Sequence, residues 1–158
     1  MTIADADRII TAAMQWLPAH MDTPKARIMM VAIGLQESRF KARRQIGGPA
    51  HGYWQFEHGG GCLGVLSHRA SSKLAKDVLT RMNYKPEPAA AYSALVDNDT
   101  LAAVFARLLL WTLPDALPET PEQGWNQYIK AWRPGKPHAH TWDGFYNAAV
   151  RFYDDPKN

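Results

Sequence analysis

Apolar residues recur along this chain at intervals of three and four, the spacing that collects side chains on one face of a helix. From Asp5 to Leu17 the stripe is Ile9, Ile10, Ala13, Met14 and Leu17, and Pro18 ends it. A second segment opens at Thr23, a favourable N-cap, followed by Pro24, whose missing N–H is no loss in a first turn. Behind them Ile28, Met29, Met30, Val31, Ile33 and Leu35 make the helix apolar nearly all round, which predicts burial. Helical spacing returns from Leu63 to Met82, broken near Ser67 to Ser72, and from Ala89 to Trp111 in two pieces divided at Asp97-Asn98-Asp99. In the second piece Leu101, Val104, Phe105, Leu108, Leu109 and Trp111 form the apolar face, and the aspartates are read as caps. Two more helices run from Thr120 to Trp132 and from Thr141 to Tyr153, the latter with Trp142, Phe145, Tyr146, Ala149, Val150 and Phe152 inward.

One stretch departs from this pattern. Gly47-Gly48-Pro49-Ala50-His51-Gly52-Tyr53-Trp54-Gln55-Phe56-Glu57 precedes Gly59-Gly60-Gly61. Glycines on both sides of an aromatic-Gln-aromatic run predict a short extended segment or hairpin held by turns. The expectation is a mainly α single domain over 1–158, with one small extended element after the second helix.

Glu37 stands out near the end of that helix. Counting by three and four puts it on the face of Met30, Ile33 and Phe40. An apolar setting and the negative end of the helix dipole both disfavour its charged form. A carboxyl so placed has the raised pKa of a general acid. The plainer reading makes Glu37 the first solvated residue at the helix end, paired with Arg39 or Lys41.

Glu37-Ser38-Arg39-Phe40 followed by Gly52-Tyr53-Trp54-Gln55-Phe56 resembles the soluble lytic transglycosylase and goose-type lysozyme group, where a Glu-Ser-x-Phe helix end precedes a Gly-Leu-Met-Gln-like strand. The resemblance implies a lysozyme-like fold, Glu37 as catalytic acid/base, Ser38 as its local support, and Gln55 in the sugar groove beside Tyr53 and Trp54. That group also has a tyrosine, in an Ala-Tyr-Asn-Ala-Gly element, that orients the glutamate and contacts the sugar. Tyr128 fits it by chain order, although no Asn follows; Tyr146-Asn147-Ala148-Ala149 copies the letters better but comes later. The segment around Asp97 departs from the group's Asn-Ile-x-x-Gly pattern.

The activity so implied is cleavage of the β-1,4 bond between N-acetylmuramic acid and N-acetylglucosamine. A transglycosylase leaves 1,6-anhydromuramic ends and a muramidase adds water; neither needs a cofactor or a metal. A two-carboxylate glycosidase needs a second acid about 5 to 9.5 Å from the first. Strand alternation would aim Glu57 to the same face as Gln55, which makes it the candidate.

Charge and composition narrow the partners. The net charge is +3 and the pI about 9.1, which suits an anionic wall polymer and also a nucleic acid. The Lys/Arg residues are spread along the chain, however, and no helix-turn-helix, zinc-finger or RNA-binding motif is present, so no nucleic-acid partner is expected. Six tryptophans can serve sugar stacking or a core. Cys62 is the only cysteine, which rules out an intrachain disulfide. No apolar run is long enough to span a membrane, and the N-terminus lacks the pattern of a signal peptide. A basic, compact chain without a signal suits a bacteriophage enzyme, an endolysin or a virion-borne one. It would be made in the host cytoplasm and act as a monomer on cell-wall peptidoglycan, beside other virion proteins in the second case.

Two other classes compete. A metal hydrolase could use His51, His58, Cys62, His138 or His140, but their spacings are loose and no His-Glu-x-x-His occurs. A wall-binding or structural phage protein could keep the fold without the chemistry; the intact Glu37 and Gln55 argue against it.

Overall fold

The computed structural model describes residues 1–158, and the chain is mainly α, as the spacing predicts. Helix α1 spans Ile3–Met14, two residues ahead of the predicted start. There Thr2 closes a capping box with Asp5, the side chain of each accepting the other's backbone N–H. A 3₁₀ turn at Ala19–Met21 leads into α2, Pro24–Ser38, capped by the Thr23 hydroxyl on the Ala26 N–H. A π-helical turn, His58–Cys62, runs into α3, Leu63–Ser67. Then come α4, Ser72–Arg81, α5, Pro88–Ala94, and α6, Asp99–Trp111. Helix α7, Pro121–Trp132, and α8, Ala139–Asp154, complete the chain. No helix is long and apolar enough to cross a membrane.

Helix α6 is the axis of the core. Every residue from Leu101 to Leu110 is buried, and the helix touches α1, α2, α3, α4 and α7. Its cap is Asn98, whose Oδ1 accepts the Leu101 N–H at 2.9 Å, rather than the aspartates on either side. Asp99 holds the Arg43 guanidinium through two bonds of 2.8 Å instead. Trp111, predicted inward, is 37% exposed: it is the residue directly after the enclosed stretch, packed against the His20 ring and the Arg107 guanidinium. One contiguous core links α1 to α8 and includes Met29 to Ile33 of α2, all fully buried.

The expected extended element does not form a strand or a regular hairpin. It is a tight turn over 52–55, closed by the mutual backbone bonds of His51 and Phe56 (2.8 and 2.9 Å), with one further isolated bridge between Arg44 and His51. Tyr53, Trp54 and Phe56 are all buried. A strand with one covered face would bury only one of the neighbours Tyr53 and Trp54; the turn buries both. Gly52 at φ +77° permits it, and a Cβ there would also lie 3.0 Å from the Leu95 carbonyl.

Candidate active site

Helix α2 ends in a way that presents Glu37 and anchors everything behind it. Arg39 and Phe40 both adopt left-handed backbone (φ 53° each), which folds the chain back on the helix. The Phe40 ring then lies across Gly34, where an added Cβ would meet ring carbons at 2.1 Å. It packs edge-on against Trp54, 5.5 Å between centroids.

The turn that follows is tied to two helices. The Ser38 hydroxyl donates to the Tyr53 carbonyl at 2.7 Å, and the Trp54 indole to the Met30 carbonyl at 2.8 Å, both holding it to α2. From α7 the Trp132 indole donates to the Trp54 carbonyl at 2.9 Å. Gln55, itself left-handed (φ 55°), turns its amide N–H₂ onto the Gly52 carbonyl at 2.8 Å. Its Oε1 thereby remains free as an acceptor.

Glu37 is largely enclosed, and burial raises its pKa to about 7, against a smaller lowering by a hydrogen bond from Tyr128. That bond is 2.5 Å, from the Tyr128 hydroxyl to Oε1. Oε2 has no protein partner, and no enclosed side-chain oxygen in the molecule is left unpaired, so Oε2 meets solvent. The acidic proton of a neutral Glu37 therefore resides on the oxygen that opens outward. Tyr128 is held in turn by its ring, stacked on Trp142 at 5.3 Å and 12°. Burial and the neighbouring carboxylate push its own hydroxyl far above the usual tyrosine range, so it acts as a donor at every ordinary pH.

Oε2 opens onto a cleft with two lobes that share Gln36, Glu37, Gln45, Gln55 and His138. The wide lobe, about 1080 Å³, runs past Glu57, Gly59 to Gly61, Tyr128, Trp132 and Arg133. The narrow lobe, about 470 Å³, runs past Arg39, Lys41, Arg44, Ile46 and Phe145. Glu37 thus stands at the middle of an open groove, not at the end of a closed pocket.

The predicted site residues divide. Glu37, Ser38, Gln55, Glu57 and Tyr128 line the cleft. Glu57 does so from an exposed position, but not through strand alternation, since no strand carries it. Three residues do not reach the groove. Trp54 is fully buried beneath the turn, and Tyr53 is 5% exposed with Arg43 over its ring at 4.7 Å. Tyr146 is buried against Gly124, its hydroxyl 3.4 Å from the Pro118 carbonyl. These three aromatics are packed into the core, and none lines the cleft.

Sequence reasoning did not single out Gln36, Thr141 or Trp132. Gln36 clamps α8 to α2, donating to the His138 carbonyl at 3.0 Å and accepting from the Thr141 hydroxyl at 2.9 Å. A polar pair, Gln36-Glu37, closing an apolar helix was the available signal. Trp132 lies one turn after Tyr128, the spacing that puts both on one helix face.

The five metal-ligand candidates are dispersed. His51 stacks on Tyr92, His58 lies beside the same ring, Cys62 is enclosed in the core, and His138 and His140 stand together at the narrow lobe. No three His, Cys, Asp or Glu side chains form a group that could hold a metal ion.

Searches of family models, curated proteins and solved structures return no match to this chain.

Proposed function

We propose that this chain cleaves the β-1,4 bond between N-acetylmuramic acid and N-acetylglucosamine in peptidoglycan, as a lytic transglycosylase with Glu37 as acid and base. One observation carries this reading: a carboxyl with a pKa near 7, one oxygen fixed by Tyr128 and the other facing the middle of a long open groove. A polymer can be threaded through such a groove and cut internally. The likeness of Glu37 to Phe40 and of Gly52 to Phe56 to the transglycosylase and goose-type lysozyme group supports the same assignment.

Near neutral pH a large share of Glu37 is protonated. Its Oε2 proton passes to the glycosidic oxygen as the bond to the muramic C1 breaks, leaving positive charge on the ring. The carboxylate formed is stabilised by the Tyr128 hydroxyl, whose bond strengthens as charge develops on Oε1. Glu37 then takes the proton of the muramic C6 hydroxyl while that oxygen bonds to C1. The proton is returned, no water is consumed, and an anhydro end results. The free Oε1 of Gln55 can accept from a sugar hydroxyl or amide nearby.

Glu57 on the wide lobe favours a second reading, in which an activated water replaces the C6 hydroxyl and the enzyme is a muramidase. Mass spectrometry of products from purified peptidoglycan separates the two. Anhydromuramic ends made by the wild type and not by Glu37→Gln establish the transglycosylase. Ends heavier by one water, equally dependent on Glu37, establish the hydrolase. Glycan that stays intact with the wild type refutes both.

A further inference from the structure

Helix α6 carries one charged side chain through its enclosed stretch. Arg107 is 2% exposed, yet no carboxylate is bonded to it. Its Nε donates to the Met21 carbonyl at 2.8 Å, and its two terminal nitrogens donate to nothing in the protein. Asp22 lends it negative charge at a distance, but both oxygens of that carboxylate are held by Arg27, at 2.7 and 2.9 Å. Burial without a bonded acid lowers the Arg107 pKa to about 10. No enclosed side-chain nitrogen in the molecule is left unpaired, so the terminal nitrogens of Arg107 open to the surface.

That opening is edged by aromatic rings. The guanidinium lies over the Trp111 ring at 5.3 Å, and the exposed His20 ring packs on the same tryptophan at 5.6 Å. None of the three lines the cleft. Leu109, two residues on and so about 200° round the helix from Arg107, faces the wide lobe instead. With Nε already occupied, the donors left over are the paired terminal N–H₂ groups, a fork that matches the two oxygens of a carboxylate. Asp22 close by disfavours a dianion such as phosphate in the same place. Trp111 adds an apolar ring in reach of solvent, and arginine and tryptophan are the side chains that most often anchor a protein partner. A buried cation without a bonded acid is unfavourable in the free protein, and an incoming carboxylate relieves it. We propose that Arg107 and Trp111 form a docking site, on the side of α6 away from the cleft, for an acidic side chain flanked by apolar residues on a partner protein.

The test uses the wild-type chain labelled with ¹⁵N and a probe peptide, N-acetyl-Leu-Asp-Leu amide, whose only charge is one carboxylate. The indole N–H of Trp111 and the Nε–H of Arg107 are expected to shift saturably, with a Kd of about 1 mM, as suits one ion pair and one apolar contact. The Gln55 amide in the cleft should not move. The same peptide with Asn in place of Asp is expected to bind at least about tenfold more weakly. Arg107→Met, which exchanges a buried charge for apolar packing and so is expected to fold, should lose the peptide to the same degree. Trp111→Gln, at a position already part-exposed, should weaken it as well and decides the matter if Arg107→Met does not fold. Absence of saturation by about 10 mM peptide overturns the proposal, as does equal binding of the Asn peptide or full binding by either variant. Inorganic phosphate that binds as well as the peptide would make this a general anion site and overturn it too. Sedimentation of the wild type alone is expected to give a monomer; a dimer that Arg107→Met abolishes would put a second copy in the site in place of a partner.

Discussion

The hydroxyl of Tyr128 and Oε1 of Glu37 lie 2.5 Å apart, joining the second helix to the seventh. The bond does two opposing things: it favours the carboxylate, and it fixes which oxygen faces the groove. Burial wins the contest over charge, because the pKa still rises to about 7. Removing the hydroxyl leaves burial unopposed. Tyr128→Phe is therefore expected to raise the Glu37 pKa further and move the falling limb of the pH–rate profile to higher pH. It should lower kcat by about tenfold to a hundredfold through lost orientation and charge stabilisation. A limb that stays put or moves down would contradict the assignment.

Wild-type activity should fall as pH rises through about 7, because the reaction starts from protonated Glu37. Glu37→Gln should be inactive across the range. Initial rates on peptidoglycan from pH 5 to 9 check both statements.

The same group makes stability depend on pH. Below about 4.5 the folded and unfolded chains both keep this proton; between there and about 7 only the folded one does. Folding therefore loses stability as pH rises through that window, and above it an enclosed carboxylate is left ionised. Glu37→Gln removes the penalty while still accepting the Tyr128 bond. It should be more stable than the wild type at pH 8, by on the order of 2 kcal/mol, with the difference vanishing near pH 4. Urea unfolding at the two pH values measures this.

Glycine has different reasons within one short stretch. A Cβ at Gly61 would lie 2.5 Å from the Phe56 ring, whereas one at Gly59 or Gly64 would meet nothing within 4 Å. Gly61→Ala should cost about 1–3 kcal/mol. Gly64→Ala, inside a helix, should be neutral or stabilising by up to about 1 kcal/mol. Thermal melts of the two variants give opposite signs.

Arg27 is the hub at the far end of the molecule. It bonds Asp22 through two nitrogens at 2.7 and 2.9 Å, and Asp7 at 2.7 Å, while Tyr153 of α8 donates to the same Asp7 oxygen. Arg27→Met should destabilise by about 2–4 kcal/mol because two carboxylates lose their partner in a part-buried setting. Arg27→Lys should recover only part of this, since an ammonium cannot reproduce the fork. Chemical denaturation of both variants would show it.

Helices were legible in the sequence because their apolar residues recur at helical spacing and half of them carry a side-chain cap, as with Thr23-Pro24 and Thr120-Pro121. The position of Glu37 at an apolar helix end could be read in the same way. The turn at 52–55 could not. Glycine–aromatic alternation describes a strand and a turn equally well; burial of both Tyr53 and Trp54, set by Met30 and Phe40 at other points in the chain, selects the turn. Chain order favours Tyr128 over Tyr146 without deciding between them, because both are aromatic positions on amphipathic helices. Only the packing of α7 against α8 decides which hydroxyl meets the carboxyl.

Cys62 is fully enclosed at the end of the π-helical turn, and burial pushes its thiol up to about 12. Thiolate is the reactive form, so the folded protein is nearly inert to thiol reagents. Labelling can then proceed only through molecules whose core has opened. The chain thereby carries a built-in clock, in which the rate of Cys62 modification counts openings around the cleft wall without any added probe. For the same reason a change in the redox poise of its surroundings leaves the fold untouched.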